Sequence, residues 1–120
     1  MSVSTPRQRF AAAIRSRSFV TAPGVYDGLT ARLAATTGCD TSYRTGAGTS
    51  LGKGLPDYGL LTMTEMVENA RTVASASAAA VIADADTGYG NELNVTRTIR
   101  EYERTGVAAI HIEVQGFPKK

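Results

Sequence analysis

The sequence predicts an α/β fold in which about four parallel strands alternate with helices. Three observations support this prediction along the 120 residues: segments of helical and strand periodicity alternate, the connections between them are short, and several helices carry N-terminal capping residues. The resulting order, αβαβαβαβ, is typical of a parallel sheet wound with right-handed crossovers. The length suits a single domain over residues 1–120.

The first half of the chain supplies two helices and two strands. Thr5-Pro6 has the pattern of an N-cap followed by proline at the first helical position, and a short strand is expected over 19–22. Asp27 can cap a second helix, which Gly38 would end in the left-handed conformation. A second strand is expected over 41–45.

A long irregular segment and the clearest helix come next. Glycines and a proline over 49–60 indicate a candidate mobile loop over a site. Thr62 and Glu65 have the spacing of a capping box and begin a helix with apolar residues on one face. The following apolar run, 80–83, is expected to be a buried strand that ends at Asp84.

The last predicted pair is a helix over 92–105 and a strand over 108–113. Gly106 is expected to end the helix, as glycine often does. The helical periodicity places three side chains toward the sheet: Val95, Ile99 and Tyr102.

Composition restricts the classes of function. With 42% hydrophobic and 20% charged residues the chain is typical of a globular protein, and a net charge of +2 is too small to indicate a nucleic-acid partner. No apolar segment approaches the length that spans a bilayer, so no membrane association is expected. The single cysteine, Cys39, cannot form an internal disulfide, which fits a reducing compartment. We expect the cytoplasm, with a mitochondrial location as the alternative because the amino terminus contains Ser and Arg but no acids.

Carboxylates follow two of the predicted strands. Asp84 and Asp86 are two residues apart, so we expect both on one pleat face at the carboxyl end of the third strand, and Glu113 ends the fourth. The carboxyl ends of parallel strands share one rim, where Thr45 and its glycines would join them. Such a cluster suits Mg²⁺, which takes one or two carboxylates and keeps waters. The alternative for Asp84 and Asp86 is a polar loop cap.

Three other signals are weaker. His111 is as compatible with a packed strand histidine as with a functional group. Gly52-Lys53 is not a phosphate loop, because Gly54 stands where that motif needs Ser or Thr. Gly46-Ala47-Gly48 is not a dinucleotide fingerprint, because Leu51 stands where the motif needs glycine.

Together the motifs resemble the isocitrate lyase and phosphoenolpyruvate mutase superfamily, and within it the branch similar to 2-methylisocitrate lyase and carboxyphosphonoenolpyruvate phosphonomutase. The resemblance covers nearly the whole chain in the right order. It rests on five segments: Pro23-Gly24-Val25-Tyr26-Asp27, Tyr43-Arg44-Thr45-Gly46-Ala47-Gly48, Gly54-Leu55-Pro56-Asp57-Tyr58-Gly59, Asp84-Ala85-Asp86-Thr87-Gly88-Tyr89-Gly90 and Ile110-His111-Ile112-Glu113.

The resemblance implies the amino-terminal half of a (β/α)8 TIM-type barrel. It also implies Mg²⁺ dependence, with Mn²⁺ as an alternative, and cleavage or formation of a carbon–carbon bond beside a 2-oxo acid whose enolate is held on the metal. The implied partners are a small carboxylic acid substrate and, in the full-length form, further copies in a homo-oligomer.

The resemblance also assigns roles to individual residues. Asp84 would contact Mg²⁺ most directly, with Asp86 and Glu113 reaching it through water. Asp57 would lie on the gating segment and Lys119 at the start of the catalytic loop. The carboxylate and oxo group of the substrate would be bound by four residues, partly through backbone N–H groups: Tyr43, Thr45, Gly46 and Ala47.

Two departures from the family pattern keep alternatives open. Val114 stands where the family usually has aspartate, and the chain ends where the family continues into four more strands. Four parallel strands cannot close a barrel, so unpaired edges and an apolar inner face are expected. The chain could therefore be half of an active lyase, a truncated non-catalytic relative or a fragment that only assembles. The superfamily's phosphonomutases and oxaloacetate hydrolases or decarboxylases are further alternatives, and the substrate itself stays undetermined.

Overall fold

The computed structural model describes residues 3–116 and contains an α/β fold, as predicted. Within this range the strands are β1 (Gly24–Val25), β2 (Thr41–Arg44), β3 (Ala80–Asp84) and β4 (Ala109–His111). The helices are α1 (Pro6–Arg15), α2 (Gly28–Ala35), α3 (Gly46–Gly52), α4 (Met63–Ala76) and α5 (Glu92–Glu103).

The strands form one parallel sheet in the order β1-β2-β3-β4. Its register places Tyr43 beside Ile82 and Asp84 beside His111. Sequential order with helical crossovers is the arrangement of successive units in a TIM-type barrel, so the expectation of half a barrel agrees with the fold.

One side of the sheet carries the hydrophobic core. Alternation along β2 and β3 turns Ser42, Val81 and Ala83 toward the helices, where they are buried, while Tyr43 and Ile82 face the other side and are only half-buried. The core also includes buried side chains from the helices: Ala31, Met66, Val67, Ala70, Val73 and Tyr102. No helix in residues 3–116 has the length and apolar character needed to cross a membrane.

The predicted helix starts are confirmed. Thr5, Asp27 and Thr62 are the N-caps of α1, α2 and α4, and each belongs to a capping box. Gly38 and Gly106 have positive φ, 83° and 95°, as expected of glycines that follow helices.

The strand predicted over 19–22 is wrong. Phe19 is 95% exposed, and the first strand is instead Gly24–Val25. The amide of Tyr43 donates to the carbonyl of Pro23 at 2.9 Å, so the proline stands at the edge of the ladder as an acceptor. Proline is tolerated at the first residue of an edge strand because its missing N–H is not needed there.

The prediction of irregular structure over 49–60 is wrong in its first part. Helix α3 extends to Gly52, despite the low helix propensity of its glycines. Tertiary packing accounts for this, because a Cβ at Gly48 would lie 3.0 Å from the Cβ of Tyr26. The glycines thus let the helix approach Tyr26 closely.

The inward face of α5 is displaced from the predicted one. Tyr102 is buried as expected and Val95 is half-buried, but Ile99 is 45% exposed. Thr98 takes the buried position, where its hydroxyl donates to the carbonyl of Gly88 at 2.7 Å. A buried hydroxyl is tolerated when it has a hydrogen-bond acceptor, so Thr98 takes the inward position that apolar periodicity alone had assigned to Ile99.

Candidate active site

A cavity of about 360 Å³ opens at the carboxyl ends of β2, β3 and β4. The side chains that line it come from the strands, from residues just after them, from the start of α3 and from the segment after α3: Tyr43, Thr45, Ala47, Asp57, Tyr58, Asp84, His111, Glu113 and Gln115. The fold therefore brings together residues up to 72 positions apart in sequence, from Tyr43 to Gln115. Most of the residues predicted from the sequence meet here.

Asp84 is the last residue of β3, and two backbone amides hold its carboxylate. Oδ1 accepts from the Asp86 N–H at 2.9 Å, and Oδ2 accepts a longer bond from the Gly46 N–H at 3.3 Å. Each oxygen has a further lone pair, so the group can still bind a cation.

The turn from β2 into α3 forms one wall. The Thr45 hydroxyl accepts from the Gly48 N–H at 2.7 Å and caps α3, while Thr45 and Ala47 line the cavity. Gly46 is buried and does not line the cavity, and its N–H is directed at Asp84. A Cβ at position 46 would lie 2.6 Å from Asp84 Oδ2, so glycine is required for this approach.

The wall from β4 carries His111 and Glu113. The Tyr43 hydroxyl lies 3.2 Å from His111 Nδ1, which makes His111 a cavity residue rather than a packed strand histidine. The Glu113 N–H donates to the carbonyl of Asp86 at 2.8 Å and aligns the two loops. Asp84 and Glu113 therefore supply carboxylates to one cavity.

Asp86 does not continue the pleat of β3, so the geometric reason for placing it beside Asp84 was wrong. The strand ends at Asp84, and Asp86 has φ 48°, which reverses the alternation. Asp86 is only 5% exposed and is not among the cavity residues. Its negative charge contributes to raising the pKa of Tyr89, after burial and the neighbouring Tyr102.

The family resemblance assigns Asp57 to the gating segment and Lys119 to the catalytic loop. Asp57 lines the cavity together with its neighbour Tyr58, on the segment between α3 and α4. Lys119 lies outside the described residues.

The donor set fits a hard cation with several waters better than a closed cage. Within residues 3–116, no three His, Cys, Asp or Glu side chains are grouped closely enough to hold a metal ion among them. Asp84 and Glu113 nevertheless offer carboxylate oxygens to one open cavity. Mg²⁺ commonly binds through one or two carboxylates and completes its shell with water and substrate oxygens.

A polar cluster that the sequence did not indicate lies behind Asp84, on the helix side of the sheet. Arg44 has 0% exposure, and its Nη2 donates to the carbonyl of Asp84 at 2.8 Å and to the Tyr102 hydroxyl at 2.9 Å. The Tyr102 hydroxyl lies 3.3 Å from that of Tyr89. Burial raises the pKa of both tyrosines, so both hydroxyls keep their protons at neutral pH.

Two further cavity residues, Tyr58 and Gln115, were also missed. Each stands one or two positions from a predicted site residue, Asp57 or Glu113, so loop neighbourhood was the signal that could have found them. Arg44 carried a different signal, since it lies inside the strand predicted over 41–45, and a charged residue that a strand buries needs a polar partner.

The family model described as phosphoenolpyruvate phosphomutase matches residues 10–119. Two curated relatives are similar over 108 residues, or 89% of this chain. They are isocitrate lyase of Haloferax volcanii, 54% identical, and 2,3-dimethylmalate lyase of Eubacterium barkeri, 51% identical. The matched segment covers 31% and 37% of these relatives, so the chain spans about a third of their length.

Among solved structures, a phosphonopyruvate hydrolase in complex with oxalate and Mg²⁺ superposes with a TM-score of 0.92 at 35% identity. The match covers 98% of this chain and 41% of that one.

Proposed function

Because the chain belongs to the phosphoenolpyruvate phosphomutase family, we propose that it carries the metal and oxo-acid site of a Mg²⁺-dependent carbon–carbon lyase. The substrate class would be a 2-oxo or 2-hydroxy di- or tricarboxylic acid similar to 2-methylisocitrate. Two similar proteins, an isocitrate lyase and a 2,3-dimethylmalate lyase, support this class. Because the chain spans about a third of their length, the activity of a whole enzyme is itself part of the proposal.

Asp84 is the residue we assign to the metal most directly, with Asp86 and Glu113 acting through water; Mn²⁺ could replace Mg²⁺. The position of Asp84 supports its role, since its carboxylate is oriented by two amides and faces the cavity. Glu113 shares the cavity, whereas Asp86 has the weakest support because it does not line it. The bound cation would supply positive charge that stabilises negative charge on a substrate oxygen.

The remaining assignments concern the substrate. Tyr43, Thr45 and Ala47 line the cavity and would contact the carboxylate and oxo group, whereas Gly46 would act through Asp84, to which its N–H already donates. Asp57 would close the cavity from the neighbouring segment. Lys119 is proposed for the catalytic loop from the family pattern alone.

A single observation carries the proposal: carboxylates from β3 and from the residues after β4 line the same cavity as the β2–α3 turn. A cation held by these carboxylates would lie next to hydroxyl and backbone groups, which can orient a 2-oxo acid. Breaking a carbon–carbon bond beside a carbonyl builds negative charge on oxygen, and oriented positive groups lower the energy of that state.

Titration of the chain with Mn²⁺, with and without oxalate, tests the metal site. We expect binding by the native chain and a loss of affinity of about tenfold or more in Asp84→Asn, because the substitution removes the charge but keeps the shape. Asp40→Asn is the matched control, since Asp40 is exposed and precedes β2 at the opposite end of the sheet. Equal affinities of native chain and Asp84→Asn would refute the role of Asp84.

A product analysis by NMR tests the reaction with Mg²⁺ and a panel of acids: 2-methylisocitrate, 2,3-dimethylmalate, isocitrate, oxaloacetate and phosphonopyruvate. Cleavage of one of the first three supports the lyase. Turnover of oxaloacetate or phosphonopyruvate alone would contradict the lyase proposal and favour a hydrolase or mutase of the same superfamily. The structural similarity to phosphonopyruvate hydrolase supports that alternative. Metal binding without turnover of any acid would leave this chain a binding half only.

A further inference from the structure

We propose that Arg44, Tyr102 and Tyr89 form a hydrogen-bonded clamp that fixes Asp84 and the loop that follows it, 85–91. The clamp lies on the side of the sheet opposite the cavity. In this inference, which rests on the proposed function, the three are positioning residues for the metal ligand. These three side chains make up the clamp.

The clamp holds the start of the loop through the backbone of Asp84. The Asp84 carbonyl accepts two bonds, one from Arg44 Nη2 at 2.8 Å and one from the Tyr102 hydroxyl at 3.2 Å. The carboxylate of the same residue faces the cavity on the other side of the sheet. A carbonyl fixed by two donors restrains the backbone from which the carboxylate projects.

The clamp holds the other end of the loop through Tyr89. Because the single hydroxyl proton of Tyr102 is directed at the Asp84 carbonyl, Tyr89 acts as the donor in the 3.3 Å bond between the two hydroxyls. Tyr89 has φ 65° and Asp86 has φ 48°, conformations that non-glycine residues adopt only when their surroundings enforce them. The tyrosine bond is one such restraint.

The energetic cost of Arg44 indicates a role beyond packing. Its guanidinium is fully buried, Nε has no hydrogen-bond partner, and no carboxylate of residues 3–116 pairs with it. Burying a charge without an opposite charge is expensive, so an apolar side chain would serve packing better. What an apolar residue cannot do is donate at the same time to the Asp84 carbonyl and the Tyr102 hydroxyl.

The test compares Tyr102→Phe with Thr105→Val, a matched control two residues after the end of helix α5, to which Tyr102 belongs. Thr105 is also buried, and its hydroxyl donates to the carbonyl of Tyr102 at 2.6 Å. Each substitution thus removes one buried hydroxyl with little change in volume, but only Tyr102→Phe removes hydrogen bonds to Asp84 and Tyr89.

Amide hydrogen exchange gives a readout that needs no metal. The Asp86 N–H donates to Asp84 Oδ1, so its exchange reports how firmly the carboxylate is held. We expect this amide to exchange about tenfold faster in Tyr102→Phe than in Thr105→Val. Mn²⁺ affinity should fall by about tenfold in Tyr102→Phe and stay native in Thr105→Val, as for other groups that orient a metal ligand.

Two more variants change the other two residues of the clamp. Tyr89→Phe removes only the outer hydroxyl and should show a smaller change in the same direction. It takes the place of Tyr102→Phe in the comparison if Tyr102→Phe does not fold. Arg44→Lys keeps the charge but loses the forked donor geometry, so it should behave like Tyr102→Phe. Asp86 exchange and Mn²⁺ affinity that match the control in both tyrosine variants would overturn the clamp. If the native chain binds no Mn²⁺, the proposed function fails, while amide exchange still decides the clamp.

Discussion

At the scale of single residues, the site depends on how closely the backbone of Gly46 approaches the Asp84 carboxylate. Asp84 was identified from the sequence because carboxylates at a strand end attract cations. Gly46 was assigned to substrate binding, yet its N–H donates to Asp84 Oδ2, and the lack of a side chain makes that approach possible. The glycine therefore positions the Asp84 carboxylate, which we propose as the metal ligand.

Gly46→Ala should displace Asp84 without unfolding the chain. The added Cβ would lie 2.6 Å from Oδ2 and 3.2 Å from Cγ of Asp84, so the carboxylate has to move while the backbone can stay. We expect Mn²⁺ affinity to fall by about tenfold. Gly28→Ala is the control, because its nearest neighbour would be 3.7 Å away, an ordinary contact. Native affinity in Gly46→Ala would show that the carboxylate does not need this position.

At the scale of elements, helix starts were the most predictable feature and strand bounds the least. Each predicted N-cap forms its box because the capping side chain and the residue three positions on bond each other's amides, a local interaction. A strand depends on a partner elsewhere in the chain. Within the described residues the run at 19–22 pairs with no strand, whereas the short Gly24–Val25 pairs with β2.

The cap of α2 should make stability depend on pH. The Thr30 N–H donates to Asp27 Oδ1 at 2.7 Å, and this bond and the Thr30 hydroxyl lower the pKa of Asp27 below its ordinary value. A lowered folded-state pKa means that the stabilisation is present above the unfolded-state pKa and is lost as the pH falls through the folded-state value. Asp27→Ala should lower the free energy of unfolding by about 1 kcal/mol at pH 7 and by less at pH 3.

Denaturant unfolding at both pH values measures this effect. Asp27→Asn is the control, since an asparagine cap keeps the hydrogen bond without a titrating group. An equal loss in Asp27→Ala at pH 7 and pH 3 would contradict the assignment.

At the scale of the whole molecule, the sheet has two kinds of strand. In the described part of the chain, β2 and β3 each pair on both sides, while β1 and β4 pair on one side only. Residues that would face the inside of a closed barrel, such as Tyr43 and His111, are half-buried or exposed. This agrees with the expected open edges of a half-barrel, and homo-oligomerisation of a full-length form stays a prediction.

Hydrogen exchange should separate these two kinds of strand. We expect the bonded amides of β2 and β3 to exchange about tenfold or more slowly than those of β4, because local opening of an edge strand breaks fewer contacts. Exchange followed by NMR on the 120-residue chain measures the difference. Equal protection of β4 and β3 would show that the β4 edge is paired in solution, and a concentration series would then reveal whether a second copy covers it.

The alternation of helices and parallel strands, the caps of α1, α2 and α4, and the carboxylates Asp84 and Glu113 at or just after strand ends were available from the sequence, because periodicity, capping and strand alternation are local rules. The family resemblance is confirmed over residues 10–119. Tertiary structure decided the rest: the bend that takes Asp86 off the cavity wall, the approach of Gly46 to Asp84, and the burial of Arg44 beneath it. These features depend on contacts between residues 27 to 58 positions apart in the sequence, from Asp86–Glu113 to Arg44–Tyr102. The distance between such residues is set only when helices and sheet pack together.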